Sequence, residues 1–118
     1  MLNDASGFQH VYLCTGYTDL RKGIDGLISI VTGTFGLDPT EAGSIFLFCG
    51  RRNDRMKVLL YEGDGWLLCY KRFTDGKLQW PRSEKEARDL TPQQYRWLME
   101  GLSIDQPKAI QPAKDRDY

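Results

Sequence analysis

Apolar residues along this chain fall into two rhythms. Between Thr18 and Gly36, Leu20, Ile24, Leu27, Ile28 and Val31 recur at helical spacing, with Thr18 or Asp19 as a start and Gly33 or Gly36 as a stop. Gly23 and Gly26 inside that segment each cost about 1 kcal/mol against Ala, so the pattern predicts a helix lying tightly against a sheet. Short apolar runs surround it: "VYLCTG" (11–16), "SIFLFC" (44–49), "MKVLLY" (56–61) and "WLLCYKRF" (66–73) read as strands. "GRRNDR", "EGDG" and "TDGK" carry the Asn, Asp and Gly of tight turns. "LQW" (78–80) reads as a short strand that Pro81 ends, and residues 82–90 as an exposed charged loop. A second helix is predicted from Thr91 as N-cap and Pro92 at the first helical position to Gly101, with Tyr95, Leu98 and Leu102 on its apolar face. The expected fold is α+β: an antiparallel meander of four to five strands with one helix from the N-terminal half and one C-terminal helix packed on it. Residues 1–104 read as one domain and the polar, proline-bearing residues 105–118 as a disordered tail.

Turn lengths set the register of the middle strands. A two- or four-residue loop at Glu62–Gly65 pairs Tyr61 with Trp66, Leu59 with Leu68, Lys57 with Tyr70 and Arg55 with Arg72. A four-residue loop at Arg51–Asp54 sets Phe48 beside Lys57 and Phe46 beside Leu59. One face then carries Phe46, Phe48, Leu59, Tyr61, Trp66, Leu68 and Tyr70, ending in Arg55, Lys57 and Arg72. The other carries Ile45, Leu47, Cys49, Met56, Val58, Leu60, Leu67 and Cys69, with Lys71 alone polar. A three-residue loop would mix the two sets.

Charge changes this picture locally, not globally. Sixteen basic and sixteen acidic residues cancel over the 118-residue chain. Residues 49–82 nevertheless hold eight basic and four acidic side chains, a local net of +4, against −3 before and −1 after. Aromatics for stacking beside cations for phosphates suit nucleic-acid binding; the structural alternative is that the C-terminal helix covers the aromatics and the basic residues are its solvated rim. Arg21 and Lys22, in the first turn of the predicted helix, oppose its macrodipole and could hold a phosphate, or could simply pair with Asp19 and Asp25.

The remaining chemistry is sparse. Cys14, Cys49 and Cys69 are odd in number, without a C-x-x-C, and read as small buried hydrophobes of a reducing compartment. His10 is the only histidine, so neither a zinc site nor a histidine-based nucleophile is expected. Asp64 with Asp75-Gly76-Lys77 has the spacing of a metal-dependent nuclease, but both acids fall in glycine-containing turns. No cofactor motif, signal-peptide pattern or stretch of ~20 apolar residues occurs, and a cytoplasmic chain with no catalytic role, no metal and no membrane partner is expected.

Four motifs in order, "TDLRKGIDGL" (18–27), "GRRNDRMKVLLYEGDG" (50–65), "KRFTDGKLQWP" (71–81) and "LMEGL" (98–102), resemble the TnpB family of insertion sequence 66 elements, their second-open-reading-frame proteins. The resemblance covers about residues 8–105. It departs mildly at Asn53, Tyr17 and Glu62, where the family more often has Gly, Pro and Asp; Asn tolerates the same left-handed turn. The family implies a non-enzymatic accessory protein of DNA transposition, encoded beside a separate transposase. In that setting Arg21, Lys22, Arg51, Arg52, Arg55, Lys57, Lys71 and Arg72 are expected to meet DNA phosphates. Alternatively Phe46, Phe48, Tyr61, Trp66 and Tyr70 dock the protein on the transposase or other proteins of the element, or on a second copy.

Overall fold

The computed structural model describes Ala5, residues 7–108 and Ile110. Strand β1 (His10–Cys14) leads through helix α1 (Ile24–Gly33) to β2 (Ser44–Phe48), β3 (Arg55–Tyr61) and β4 (Trp66–Arg72); β5 (Ala87–Asp89) and helix α2 (Pro92–Met99) follow. The five strands form one sheet in the order β4-β3-β2-β1-β5. It is mostly antiparallel, but β1 and β2 run parallel, because α1 carries the chain back across the sheet between them. The middle of the sheet is therefore a βαβ unit followed by a meander.

The hairpin register is as the turns predict. Glu62 N–H donates to Gly65 O across a four-residue turn, and Tyr61–Trp66, Leu59–Leu68, Lys57–Tyr70 and Arg55–Arg72 are paired. Phe48 faces Lys57 and Phe46 faces Leu59. Alternation then segregates two cores. Val11, Leu13, Ile45, Leu47, Cys49, Met56 and Val58 pack with Leu78, Trp80, Leu90, Tyr95, Leu98 and Ile104 beneath α2. Cys14, Phe46, Phe48 and Leu59 pack with Leu27 and Val31 of α1, flanked by Leu20, Ile24, Ile28, Trp66 and Leu68.

Several expectations are corrected. Helix α1 begins at Ile24, so Arg21 and Lys22 precede it. The Asp19 carboxylate accepts the Arg21 backbone N–H at 3.0 Å, a local bond that competes with helix formation, and Gly23 supplies no capping side chain. The close approach expected at Gly23 and Gly26 occurs instead at Gly50, where a Cβ would stand 3.1 Å from Thr18 O. A side chain at Gly26 would first meet the Lys22 side chain, 3.1 Å away. "LQW" is not a strand: Leu78 N–H bonds Asn53 O, and Trp80 Nε1 donates to Cys14 O at 3.0 Å. Instead, the supposed loop 82–90 contains β5, which pairs antiparallel with β1. Three charged-flanked residues offer no periodicity by which to read a strand.

Helix α2 has the expected capping box, Thr91 Oγ1 accepting from Gln94 N and Gln94 Oε1 accepting from Thr91 N. Gly101 closes it with a φ of 78°. Tyr95 and Leu98 are buried, but Leu102 is exposed. Cys14 and Cys49 are buried and Cys69 half-buried, all as free thiols. Burial pushes the Cys14 thiol up to about 12. Arg88 grips Asp105 through two hydrogen bonds of 2.7 and 2.8 Å; of the expected tail, residues 109 and 111–118 lie outside the described residues. Among the described residues no helix is long and apolar enough to cross a membrane.

Candidate nucleic-acid interface

A groove of about 940 Å³ opens beside the N-terminal end of β3, where the β2–β3 loop meets the segment before α1. Arg21, Arg51, Arg52, Arg55 and Lys57 line it together with Tyr17 and Tyr70, over a strip of Leu20 and Leu68. Its walls come together because Thr18 N–H donates to Cys49 O at 2.9 Å, a contact that the missing side chain of Gly50 permits.

Carboxylates hold some of these cations in place without cancelling them. Asp54 accepts from Arg55 Nε at 3.0 Å and from Arg52 Nη2 at 3.0 Å. The Arg55 guanidinium, and after it Arg52, keeps the Asp54 carboxyl below its usual range. Asp54 likewise raises Arg55, with a smaller contribution from Tyr70. This carboxylate is what makes the like-charged Arg55–Arg72 pair tolerable. Asp19 takes a bidentate pair from Arg21, which holds its carboxyl at about 2. Lys57 Nζ donates to Lys22 O at 3.0 Å, tying β3 to the turn before α1. Five cations against Asp19 and Asp54 leave a local surplus of three positive charges. Arg51 and Arg52 stand exposed at the rim, whereas Arg55 and Lys57 are half-buried at the floor.

The clamp behind the groove is Arg82, in a segment the sequence marks only as charged loop. Its Nη1 donates to Gly16 O at 2.7 Å, and its Nη2 to Gly50 O at 2.6 Å and to Asn53 Oδ1. Its guanidinium also lies 4.1 Å from the centre of the Tyr17 ring. One planar, five-donor side chain thereby fixes the loop bearing Arg51 and Arg52 against the strand end bearing Tyr17. Asn53 serves through its side chain, not a left-handed backbone, since no described residue other than glycine has positive φ. No sequence spacing could announce this, because the partners lie 29 to 66 positions away.

Not every predicted residue reaches the site. Lys22 contributes its carbonyl, as described. Lys71 belongs to the other face of the sheet, its Nζ 5.1 Å from the Phe73 ring centre. Arg72 is exposed opposite Arg55 at the strand end, outside the groove lining. Phe46 and Phe48 are fully buried beneath α1 and not beneath the C-terminal helix expected to cover them, since α2 packs on the aliphatic face; this makes them core and not docking groups. Tyr61 and Trp66 pack on each other with ring centres 4.8 Å apart, and Tyr61 Oη donates to Gly63 O. Tyr70 alone of the five aromatics is largely exposed, at 53%. Asp64 and Asp75 occupy turns at opposite ends of β4, about 20 Å apart by strand rise, so they cannot share a metal ion. Among the described residues, no three His, Cys, Asp or Glu side chains group as metal ligands.

His10, at the far end of the same sheet face, bonds Asp89 through Nδ1 at 2.7 Å and stacks on Tyr12. Tyr12 Oη in turn donates to Glu41 at 3.2 Å. The Asp89 hydrogen bond raises the His10 pKa above 6.5.

No solved structure matches this chain. Two proteins of Sinorhizobium fredii (strain NBRC 101917 / NGR234) are similar along most of their length. The "uncharacterized protein y4hO" is 34% identical over 98 residues, which span 83% of this chain and 84% of the relative. The "uncharacterized protein y4jC" is 29% identical over 102 residues, 86% of each chain. The family model described as "IS66 Orf2 like protein" matches residues 9–109, a span that holds the whole sheet, both helices and every wall of the groove. The chain is thus a member of the IS66 Orf2-like family, the TnpB proteins of insertion sequence 66 elements.

Proposed function

We propose that this protein is a non-catalytic accessory factor of DNA transposition and that it binds DNA phosphates in the groove between β3 and the segment before α1. The observation that carries this reading is the gathering of Arg21, Arg51, Arg52, Arg55 and Lys57 from two distant parts of the chain into one concave surface. Family membership supplies a setting in which an element's proteins handle DNA. Clustered cations around a cleft concentrate a polyanion and speed its arrival. Each phosphate neutralised adds about 0.9 to the salt dependence of duplex binding.

Binding of the purified protein to element-end DNA across a salt series tests the reading. Affinity should fall steeply with salt, and Arg51→Ala with Arg52→Ala should lower the slope by about 1–2. Affinity indifferent to salt, or unchanged in the double variant, would sink it.

One observation favours a second reading, docking on the transposase. Strand β4 is a sheet edge seven residues long, half-exposed, with Tyr61 and Trp66 at one end. Such an edge can accept a strand from a partner. Co-purification with transposase from nuclease-treated extract, lost on Tyr70→Pro, which removes an outward-facing edge N–H, but kept on Tyr70→Ala, would favour docking over DNA binding.

A further inference from the structure

Two groove residues are not explained by phosphate binding. Tyr17 and Tyr70, the most exposed aromatic side chains among the described residues, both stand in the cationic groove rather than scattered over the surface. Exposing large rings forgoes burial free energy, so two of them beside five cations call for a ligand with flat apolar faces as well as negative charge. The Tyr17 ring is already steadied on the Arg82 guanidinium, which sets it as a rigid platform. A third unexplained group is the Thr18 hydroxyl. Thr18 is 4% exposed and lines the same groove, yet its Oγ1 has no hydrogen-bond partner among the described residues. A buried hydroxyl without a partner is uncommon and marks a polar group that the groove wall leaves unsatisfied.

We propose that the occupant of the groove is a single strand of DNA, with bases stacked on Tyr70 and Tyr17 and phosphates on Arg51, Arg52 and Arg55. This rests on the DNA-binding reading above and narrows it to one form of DNA. Duplex DNA is a convex rod whose base faces are sealed in the stack. It can reach the exposed rim at Arg21, Arg51 and Arg52, but it has no flat face to offer the tyrosines and cannot follow the cations to the half-buried floor. An unpaired strand does both, which is the combination of charge and stacking by which single-stranded nucleic acid is held. The cavity, about 940 Å³, is of the size that encloses a small organic ligand, roughly 300–1,000 Å³. It therefore accommodates a few unpaired nucleotides and not a helix.

The test is fluorescence anisotropy with a labelled ten-nucleotide thymidine strand, a duplex of the same length and a mononucleotide competitor. The strand should bind at least about tenfold more tightly than the duplex, with a salt slope near 0.7 per phosphate contact. Tyr70→Ala should weaken strand binding roughly 5- to 100-fold while leaving that slope unchanged, whereas Tyr70→Phe should keep most of the affinity. A matching quench of intrinsic fluorescence in the unmodified protein reports stacking without any substitution. Salt-dependent duplex binding as tight as strand binding, unaffected by Tyr70→Ala, overturns the single-strand inference and leaves phosphate binding standing. A mononucleotide as tight as the strand overturns it too. Failure of both strand and duplex to bind overturns both readings together.

Discussion

The two faces of the sheet share strands and differ in how completely they are covered. On one, α2 together with Leu78, Trp80 and Ile104 seals an aliphatic core from Val11 to Cys49. On the other, α1 spans ten residues, or about 15 Å, and covers Phe46, Phe48 and Leu59, reaching Trp66 and Leu68 of edge strand β4. Helix α1 starts late because Asp19 and Gly23 disfavour a helix before Ile24. The strand end at Arg55 and Lys57 consequently lies outside its cover. What occupies that gap is a groove rather than more core. The comparison teaches that the candidate site exists where a helix stops short, and that its charges are affordable there because water and Asp54 can reach them.

The largest expected effect breaks the sealed face. Trp80→Ala removes a ring that is 5% exposed and whose Nε1 satisfies Cys14 O. It should cost about 3–5 kcal/mol, read by urea denaturation. Tyr70→Ala on the open face should cost within about 0.5 kcal/mol. Equal losses at both positions would erase the contrast.

A middle-sized effect tests the clamp that joins the faces. Arg82→Ala abandons the carbonyls of Gly16 and Gly50 and the side chain of Asn53, and should destabilise by about 2–3 kcal/mol. DNA affinity should fall with it, although Arg82 is not among the residues lining the groove. Arg82→Lys should not restore either property, because an ammonium cannot span three acceptors held by a planar fork. Full rescue by lysine, in denaturation and binding together, would show that only the charge mattered.

The smallest effect lies at the far end of the open face. His10 faces Asp89 and, through Tyr12, Glu41, and its pKa is raised in the folded state. The protonated form is therefore favoured by folding. Its contribution should be fully present below about pH 6.5, the unfolded value, and disappear as pH rises through the higher folded value. His10→Gln should flatten the pH dependence of the melting temperature between roughly pH 6 and 8. DNA binding should be unchanged in that variant, since His10 is at the opposite end from the groove.

Much of this arrangement was legible from residues in local contact. The Glu62–Gly65 turn is enough to pair Tyr61 with Trp66, and with it every residue down to Arg55 and Arg72. Thr91, Pro92, Gln94 and Gly101 delimit α2 because capping is settled within one turn of the chain. The cluster Arg51, Arg52, Arg55 and Lys57 follows from the neighbouring β2–β3 hairpin, whose loop carries Arg51 and Arg52 at the head of the strand bearing Arg55 and Lys57. Arg82 and Tyr17 did not follow, nor did the burial of Phe46 and Phe48, since each depends on a segment distant along the chain.

The chain's own pattern thus determined the alternation of its strands, the register of its hairpins, the capping of α2 and the local excess of positive charge, all properties of neighbours a few residues apart. Tertiary structure alone decided that β1 enters parallel beside β2, that β5 closes the edge, that α1 takes the aromatic face, and that Arg82 draws Gly16 and Gly50 together. The physical reason is range. Turns and caps are selected by short steric and hydrogen-bond rules, whereas coverage of a face is selected by which distant segments bury the most apolar surface with their polar groups satisfied. The groove is what that second selection leaves open.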